Sequence, residues 1–206
     1  AIFRPIEESA FRIGAYIHTP IWYELEDING SQLYLNDCMV GHPKDFDPYR
    51  YKLRTPWQFG FSMGTTIENY FAIGAEYMFQ DLSSCKYSNK GGGTNSYFQY
   101  QNQMMGNVLK GQHTVKVGIE VKPTDEFSVR CGYNFISAPM KEDGYNILAY
   151  DGVLTETDFC NWKGTNRFTF GVGYRFKGGY FDLTYQYSNN GWNARVTGFY
   201  TTIKDQ

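Results

Sequence analysis

The sequence predicts an all-β protein: an antiparallel transmembrane β-barrel of the outer-membrane class, with short periplasmic turns and long external loops. Three observations predict this fold class. Apolar and polar residues alternate over stretches of about ten residues, aromatic residues make up 18% of the 206-residue chain, and short connections take turns with long ones. No run of eighteen apolar residues is present that would form a membrane-spanning helix.

The clearest strands lie between Asn166 and Ser188. Over residues 167–176 every second residue is apolar, and the residues between them are Arg, Thr or Gly. After a predicted turn at residues 177–180 the alternation restarts and continues to Ser188. A period of two gives a strand two distinct faces, and about ten tilted residues cross a bilayer. This segment therefore predicts a hairpin with one face toward lipid and the other toward water.

The same alternation marks earlier segments of the chain. We predict strands at residues 11–18, 51–64, 71–80, 113–122 and 127–135, and a weaker one at 192–203. The first of these runs into Trp22 and Tyr23, which predict an aromatic belt at the membrane interface. The side chains that we expect to face lipid include Trp57, Phe59, Phe61, Phe71, Ile73, Val117, Ile119, Phe168, Phe170, Leu183 and Tyr185.

The connections between these strands are unequal in length. Short turns are predicted at residues 5–9, 67–69, 123–126 and 177–180. Long loops are predicted at residues 24–47, 81–111 and 139–165, and the second contains a stretch, 96–109, that favours a short helix. Outer-membrane barrels have short periplasmic turns and long external loops. A soluble β-sandwich or a lipocalin-like barrel is the alternative that the sequence leaves open.

The charged residues and the histidines favour neither a nucleic-acid partner nor an enzyme. The formal net charge of −2 gives no support for binding a phosphate backbone. The histidines, His18, His42 and His113, have no metal-binding spacing and no obvious nucleophile nearby in sequence. We therefore expect no catalytic site, no metal and no cofactor. A lipase or acyltransferase site in the barrel wall stays open as an alternative.

The four cysteines lack the CxxC spacing of a zinc site. Cys38, Cys85 and Cys160 fall in polar segments that are predicted as loops, where an oxidising compartment would permit a disulfide. Cys131 falls on the apolar face of a predicted strand, where a thiol behaves as a small apolar group.

Two groups of residues are candidates for contacting a hydrophobic ligand. The first is an apolar set at helical spacing in the second long loop, Met104, Met105, Val108 and Leu109, with Ile147, Leu148, Tyr150 and Leu154 in the third loop. The second is Lys52 and Arg54, which we place at the outer end of an inward strand face, where they would meet a carboxylate headgroup. Alternatively, the apolar set packs the loops together, and the two cations pair with acids inside the barrel.

Two pairs of opposite charges are predicted inside the barrel. If Phe176 and Phe181 lie opposite each other across the turn at 177–180, Arg175 and Asp182 form the next pair and both point inward. The same counting places Glu120 diagonal to Arg130. We read both pairs as structural, with a charged gate at the floor of the lumen as the alternative.

Several motifs resemble the carboxy-terminal half of FadL/TodX-type outer-membrane transporters, especially those of Bacteroidetes. Each motif alone is common among barrel strands, but their order and spacing together are more specific. The motifs are IFRP at 2–5, FRIG at 11–14, HTPIWY at 18–23, VGIEVKP at 117–123, VRCGYN at 129–134, SAP at 137–139 and FGVGYRF at 170–176.

This resemblance implies a Gram-negative outer-membrane barrel that takes up long-chain fatty acids or other small hydrophobic molecules and contacts bilayer lipid or lipopolysaccharide. The chain shows eight or nine strands and no amino-terminal hatch. We therefore expect residues 1–206 to form a single barrel domain that is the carboxy-terminal part of a longer barrel. Two alternatives stay open: a FadL-like scaffold that binds a protein partner in secretion, and a small adhesin or structural barrel.

Overall fold

The structure is a computed structural model that describes residues 1–28, 33–35, 38–40, 48–142, 163–189 and 191–200, with backbone only at 33–35, 38–40 and 191–200. Within these ranges the chain forms fourteen strands and one α-helix. In chain order these are β1 Ile2–Phe3, β2 Arg12–His18, β3 Trp22–Asp27, β4 Leu33–Leu35, β5 Cys38–Val40, β6 Tyr49–Arg54, β7 Gln58–Ile67, β8 Phe71–Asp81, β9 Lys86–Asn89, α1 Ser96–Val108, β10 Gly111–Val121, β11 Phe127–Ile136, β12 Thr165–Phe176, β13 Gly179–Ser188 and β14 Gly191–Tyr200.

Nine of these strands form one antiparallel main sheet in the order β1-β2-β7-β8-β10-β11-β12-β13-β14. The predicted antiparallel sheet is confirmed. The predicted closed barrel is not seen in the described residues, because β1 and β14 are the two edges of an open sheet. Closure requires the two edge strands to pair, and β1 offers only Ile2 and Phe3 for pairing.

The strand register gives the main sheet one apolar and one polar face, as the alternation predicts. On the apolar face Ile73, Ile119, Cys131, Phe170 and Tyr185 lie side by side on five neighbouring strands. Most large side chains of this face are exposed, with Phe170 50% accessible. Among the described residues, the buried apolar side chains, Phe98, Met104, Val108 and Met140, all lie outside the main sheet. Within the described side chains, the main sheet therefore has no buried apolar core of its own.

Two prolines divide stretches in which the sequence predicts continuous alternation. The predicted strand at 51–64 is in fact two strands, β6 and β7, which belong to different sheets and flank Pro56. Pro20 likewise separates β2 from β3. Proline has no N–H to donate to a ladder, so pairing stops there. Two hydrogen bonds connect the segments that contain the two prolines: Thr55 N donates to Ile21 O (2.9 Å), and Ile21 N donates to Thr55 Oγ1 (2.8 Å).

Beyond these breaks the chain forms a second sheet, β3-β6-β9, with α1 packed against it. The predicted helix at 96–109 is confirmed as α1, which begins after Asn95, whose side chain accepts a hydrogen bond from Phe98 N (2.8 Å). Strands β4 and β5 pair as a separate ribbon. No helix in the described ranges is both long and apolar enough to cross a membrane.

Candidate functional site

An ion-pair chain crosses the polar face of the main sheet. Arg130 on β11 donates through Nε to Glu120 Oε2 (2.5 Å) and through Nη1 to Asp182 Oδ1 (2.6 Å). Glu120 Oε1 also forms an ion pair with Lys122 Nζ at 3.1 Å. Asp182 lies on β13, so Arg130 reaches across the intervening strand β12 at Gly173, the residue that pairs with Asp182. A Cβ on Gly173 would overlap Asp182 Oδ1 and lie 3.2 Å from Arg130 Nη1.

The predicted direct pairing of Arg175 with Asp182 is wrong. Arg175 pairs with Tyr180 instead, which places it two residues from the register that we predicted, although on the same face as Asp182. The cause is the turn. Only residues 177 and 178 connect β12 to β13, and Gly178 has a φ of 97°, a left-handed conformation that glycine adopts without steric cost. A four-residue turn would have given the predicted register.

The predicted Glu120–Arg130 pair is present, but the two residues lie directly opposite each other instead of diagonally. A second ion pair, which the sequence reasoning missed, lies on the neighbouring strands β8 and β10. Glu76 accepts from Lys116 Nζ (3.0 Å) and from Tyr16 OH (3.0 Å). Both positions are on the polar face by alternation, so the pair could have been found once the register of β8 against β10 was known.

A groove lies between these two ion pairs. Its floor is a row of four glycines in register on adjacent strands, Gly64, Gly74, Gly118 and Gly132. The groove has a volume of about 600 Å³, and Ala72, Thr66, Thr169 and Arg12 also line it. A Cβ built on Gly118 would find nothing closer than Cys131 O at 4.0 Å. The glycine row therefore leaves open space above the polar face of the sheet.

The turn end of the polar face holds a smaller cavity of about 280 Å³. Cations and carboxylates line it in balanced number: Lys122, Arg130 and Arg175 with Asp125, Glu126 and Asp182. The four residues of the predicted charge pairs therefore lie in or next to one cavity, since Glu120 contacts both Lys122 and Arg130. Their role as a gate stays a prediction.

The predicted apolar ligand residues lie at the carboxy-terminal end of α1. Met104 and Val108 are buried against Met140, and Leu109 packs on the same cluster. Met105 is half-buried. These contacts agree with the alternative in which the apolar set packs the loops together. Contact of these residues with a ligand stays a prediction. The candidates in the third loop, Ile147, Leu148, Tyr150 and Leu154, lie outside the described residues.

The placement of Lys52 and Arg54 on an inward face of the barrel is wrong, because both lie on β6 of the second sheet. Lys52 Nζ forms an ion pair with Glu24 at 3.4 Å. Arg54 Nη2 donates to Ser84 O at 3.4 Å, and its Nε is buried without a described partner. Pro56 removes both cations from the main sheet, and alternation alone does not indicate that change of sheet.

The second sheet and α1 enclose a cavity of about 420 Å³ that the sequence analysis did not identify. Its lining is mostly aromatic: Tyr49, Tyr51, Tyr87, Tyr97 and Phe98, together with Asp27 and Gln101. The alternation of Tyr49 and Tyr51 with Arg50 and Lys52 was the available signal, since it marks a two-faced strand.

Among the described residues, two free cysteines and two histidines lie on strands of the main sheet or beside a strand of the second sheet. Cys131 is a free, exposed thiol on the apolar face, and Cys85 is a free, half-buried thiol whose pKa is raised by burial. His113 lies on the apolar face within 2.7 Å of Tyr77 OH, and His18 lies 3.3 Å from Gln58 Oε1. In the described part of the chain, no three His, Cys, Asp or Glu residues are placed to hold a metal ion.

No protein-family profile and no curated protein matches the sequence. Among solved structures, the chain is similar to a FadL homologue from Pseudomonas aeruginosa, with a TM-score of 0.53 and 14% sequence identity. The match covers 90% of this chain and 41% of that chain, so the present chain spans about two-fifths of its structural neighbour. The fold is FadL-like. At this identity the likeness concerns the fold alone.

Proposed function

We propose that the chain forms part of the wall of an outer-membrane barrel that takes up small hydrophobic molecules. The observation that carries the proposal is the two-faced main sheet. Its apolar face exposes large side chains across neighbouring strands, including Phe168, Phe170 and Leu183, whereas its polar face carries ion pairs. Soluble monomers rarely expose apolar patches larger than a few hundred Å², and hydrocarbon is the solvent that suits such a face.

The groove above the glycine row supplies a surface along which an apolar solute can lie. An apolar molecule gains about 0.8 kcal/mol for each methylene that leaves water. The floor of the groove is bare backbone, and the ion pairs of Glu76 and Glu120 flank it, so few side chains compete for the space. The name of the structural neighbour, a FadL homologue, supports the same class of function.

Filling the groove should slow uptake. We expect Gly118→Leu to place a branched side chain over the glycine row, since the nearest atom to its Cβ is 4.0 Å away. The new side chain should prevent one or two methylenes of the solute from contacting the groove, which costs about 1.4 kcal/mol of binding free energy. We therefore expect roughly tenfold slower uptake of a radiolabelled long-chain fatty acid or alkane. The assay uses cells that lack their own transporters of this class and express the full-length protein.

The matched control is Val117→Leu, which introduces the same side chain one residue earlier, on the apolar face. The amount of folded protein in the outer-membrane fraction is measured for both variants by heat-modifiable migration on gels. If Gly118→Leu takes up the probe as fast as the Val117→Leu control, the groove is not the route. Absence of uptake in the unaltered protein, together with a co-purifying protein partner, would favour a scaffold in secretion instead.

A further inference from the structure

The second sheet has two chemically different faces. On one face cross-strand ion pairs join Glu26 to Arg50 (3.1 Å) and Glu24 to Lys52 (3.4 Å). The register puts Asp27 opposite Tyr49 on the other face, which packs against α1. The basic residues of β6 are therefore directed away from the aromatic cavity.

The aromatic cavity is built around one buried ring. Phe98 is 3% exposed, and its centroid lies 5.6–6.0 Å from the rings of Tyr49, Tyr51, Tyr87 and Tyr97. The mouth stays open, because Tyr97 is 59% and Tyr49 is 46% exposed. Asn102 fixes the position of β9 against α1: its Oδ1 accepts from Tyr87 N (2.7 Å) and its Nδ2 donates to Tyr87 O (2.9 Å). The rings are thus held in place before any ligand arrives.

Asp27 is the charged residue in this lining, and it forms no ion pair with a described residue. Burial raises the pKa of Tyr51, and its hydrogen bond to Asp27 adds to the rise, so the tyrosine stays neutral. The cavity therefore presents neutral rings, one carboxylate and one amide, that of Gln101.

We propose that the aromatic cavity binds a small organic cation of the quaternary ammonium class, with Asp27 as its counter-ion. Aromatic faces attract cations through the ring quadrupole, and quaternary ammonium groups are the ligands that aromatic cages recognise. An anion would meet Asp27 with no described cation in the lining to offset it. A metal ion would find one carboxylate where several oxygen ligands are needed. The ligand is either a free solute or the headgroup of a choline lipid.

Titration calorimetry on the full-length protein in a polyoxyethylene detergent tests the proposal. We expect choline to bind saturably, and 3,3-dimethyl-1-butanol, its uncharged isostere of nearly the same shape, to bind at least about tenfold more weakly. Both compounds can pack against the rings, but only the cation gains electrostatic attraction from the ring quadrupoles and the carboxylate. Equal binding of the two compounds, or no saturable binding of choline, overturns the proposal. So does preferential binding of glucose, which would assign the rings to sugar stacking.

Variants separate the charge from the rings. Asp27→Asn should weaken choline binding by about tenfold, whereas Glu26→Gln, one residue earlier on the opposite face, should leave it unchanged. Tyr97→Phe keeps the ring and should retain binding, and Tyr97→Leu should lose severalfold. Tyr97 is largely exposed, so neither change threatens the fold. Equal effects of Asp27→Asn and Glu26→Gln contradict a role of Asp27 as counter-ion.

The two possible sources of the cation are separated with dodecylphosphocholine. Tighter binding of this lipid analogue than of choline supports a membrane headgroup, and equal binding supports a free solute. The proposal is independent of the proposed uptake function, because the aromatic cavity shares no lining residue with the groove of the glycine row. Normal fatty-acid uptake without choline binding would therefore contradict only the cation site. Choline binding without fatty-acid uptake would contradict only the proposed uptake function.

Discussion

At the scale of single residues, the polar face depends on positions without side chains. Arg130 bridges Glu120 and Asp182 only because Gly173 stands between them, where a Cβ would overlap the carboxylate. Gly118 differs, since the space above it is open. The first glycine is needed for a contact, and the second leaves a groove.

This difference predicts that the same substitution has unequal effects on stability at the two positions. Gly173→Ala should lower the free energy of unfolding by about 1–3 kcal/mol, because it separates an exposed ion pair worth up to about 1 kcal/mol and adds overlap. Gly118→Ala should change it by less than about 0.5 kcal/mol. Urea titration of the protein folded in lipid vesicles measures both. Equal stability of the two variants would show that Arg130 and Asp182 do not need the gap at Gly173.

At the scale of elements, the prediction concerns which face of β11 contacts lipid. Cys131 lies on the apolar face beside Phe170, whereas Gly132 and Thr169 lie on the polar face. In a chain whose other cysteines are replaced by serine, a pyrene maleimide on Cys131 should be quenched by brominated lipid, because the label sits in hydrocarbon. We expect clear quenching at Cys131.

The matched control places the only cysteine at position 169, through Thr169→Cys with Cys131→Ser. Its label points to the polar face and should be quenched much less by the same lipid. A one-residue slip would move charged side chains into hydrocarbon, at about 2–4 kcal/mol for each Arg or Lys at the membrane centre. Stronger quenching at position 169 than at 131 would refute the assignment of faces.

The sequence predicted the strands of the main sheet because their alternation is strict and their length is suited to a bilayer. It did not predict the change of sheet at Pro56, since residues on both sides of the proline continue the same alternation. The sequence also did not predict the pairing register of β12 with β13. The pairing of Asp182 depends on a two-residue loop with Gly178 at positive φ, and counting residues from an assumed four-residue turn shifts every pair by two.

The candidate sites show the same limit. Glu120 and Arg130 could be paired from sequence because a short turn connects their strands. The aromatic cavity combines β3, β6 and the β9–α1 segment, which lie far apart in the sequence, so no local pattern places Asp27 and Tyr97 in the same cavity. Alternation identifies the face of a strand, but it does not identify which elements meet on that face.

At the scale of the whole molecule, the open sheet sets the main requirement. Backbone groups in hydrocarbon must be hydrogen-bonded, so each edge of a membrane-spanning sheet needs a pairing partner. The described edges are β1 and β14, and the chain spans 41% of its FadL homologue neighbour. If the chain forms part of a barrel wall as proposed, uptake would depend on the strands that pair with these two edges.

For the proposed barrel wall, the lengths of the connections predict an orientation in the membrane. Short turns join β7 to β8, β10 to β11 and β12 to β13 at one end of the sheet. At the other end the connections from β2 to β7, from β8 to β10 and from β11 to β12 are long, with the short step from β13 to β14 as the exception. Long connections face outward in outer-membrane barrels. The second sheet, α1 and the aromatic cavity would then lie outside the cell.

An epitope tag tests this orientation. Gly92 and Gly93 have positive φ values of 86° and 73°, and a Cβ at either residue would have no other atom within 4 Å. An insertion between them therefore meets no side-chain packing and affects only the turn hydrogen bonds that join the two glycines to Asn89. Gly178 lies in the short turn at the opposite end. Antibody should stain intact cells that carry the tag at Gly92, and should stain those with the tag at Gly178 only after the outer membrane is permeabilised. If intact cells stain only with the tag at Gly178, the orientation is the reverse of the predicted one, and the aromatic cavity lies in the periplasm. If intact cells stain equally with either tag, the two ends of the sheet are not on opposite sides of the membrane, and the sheet does not span it.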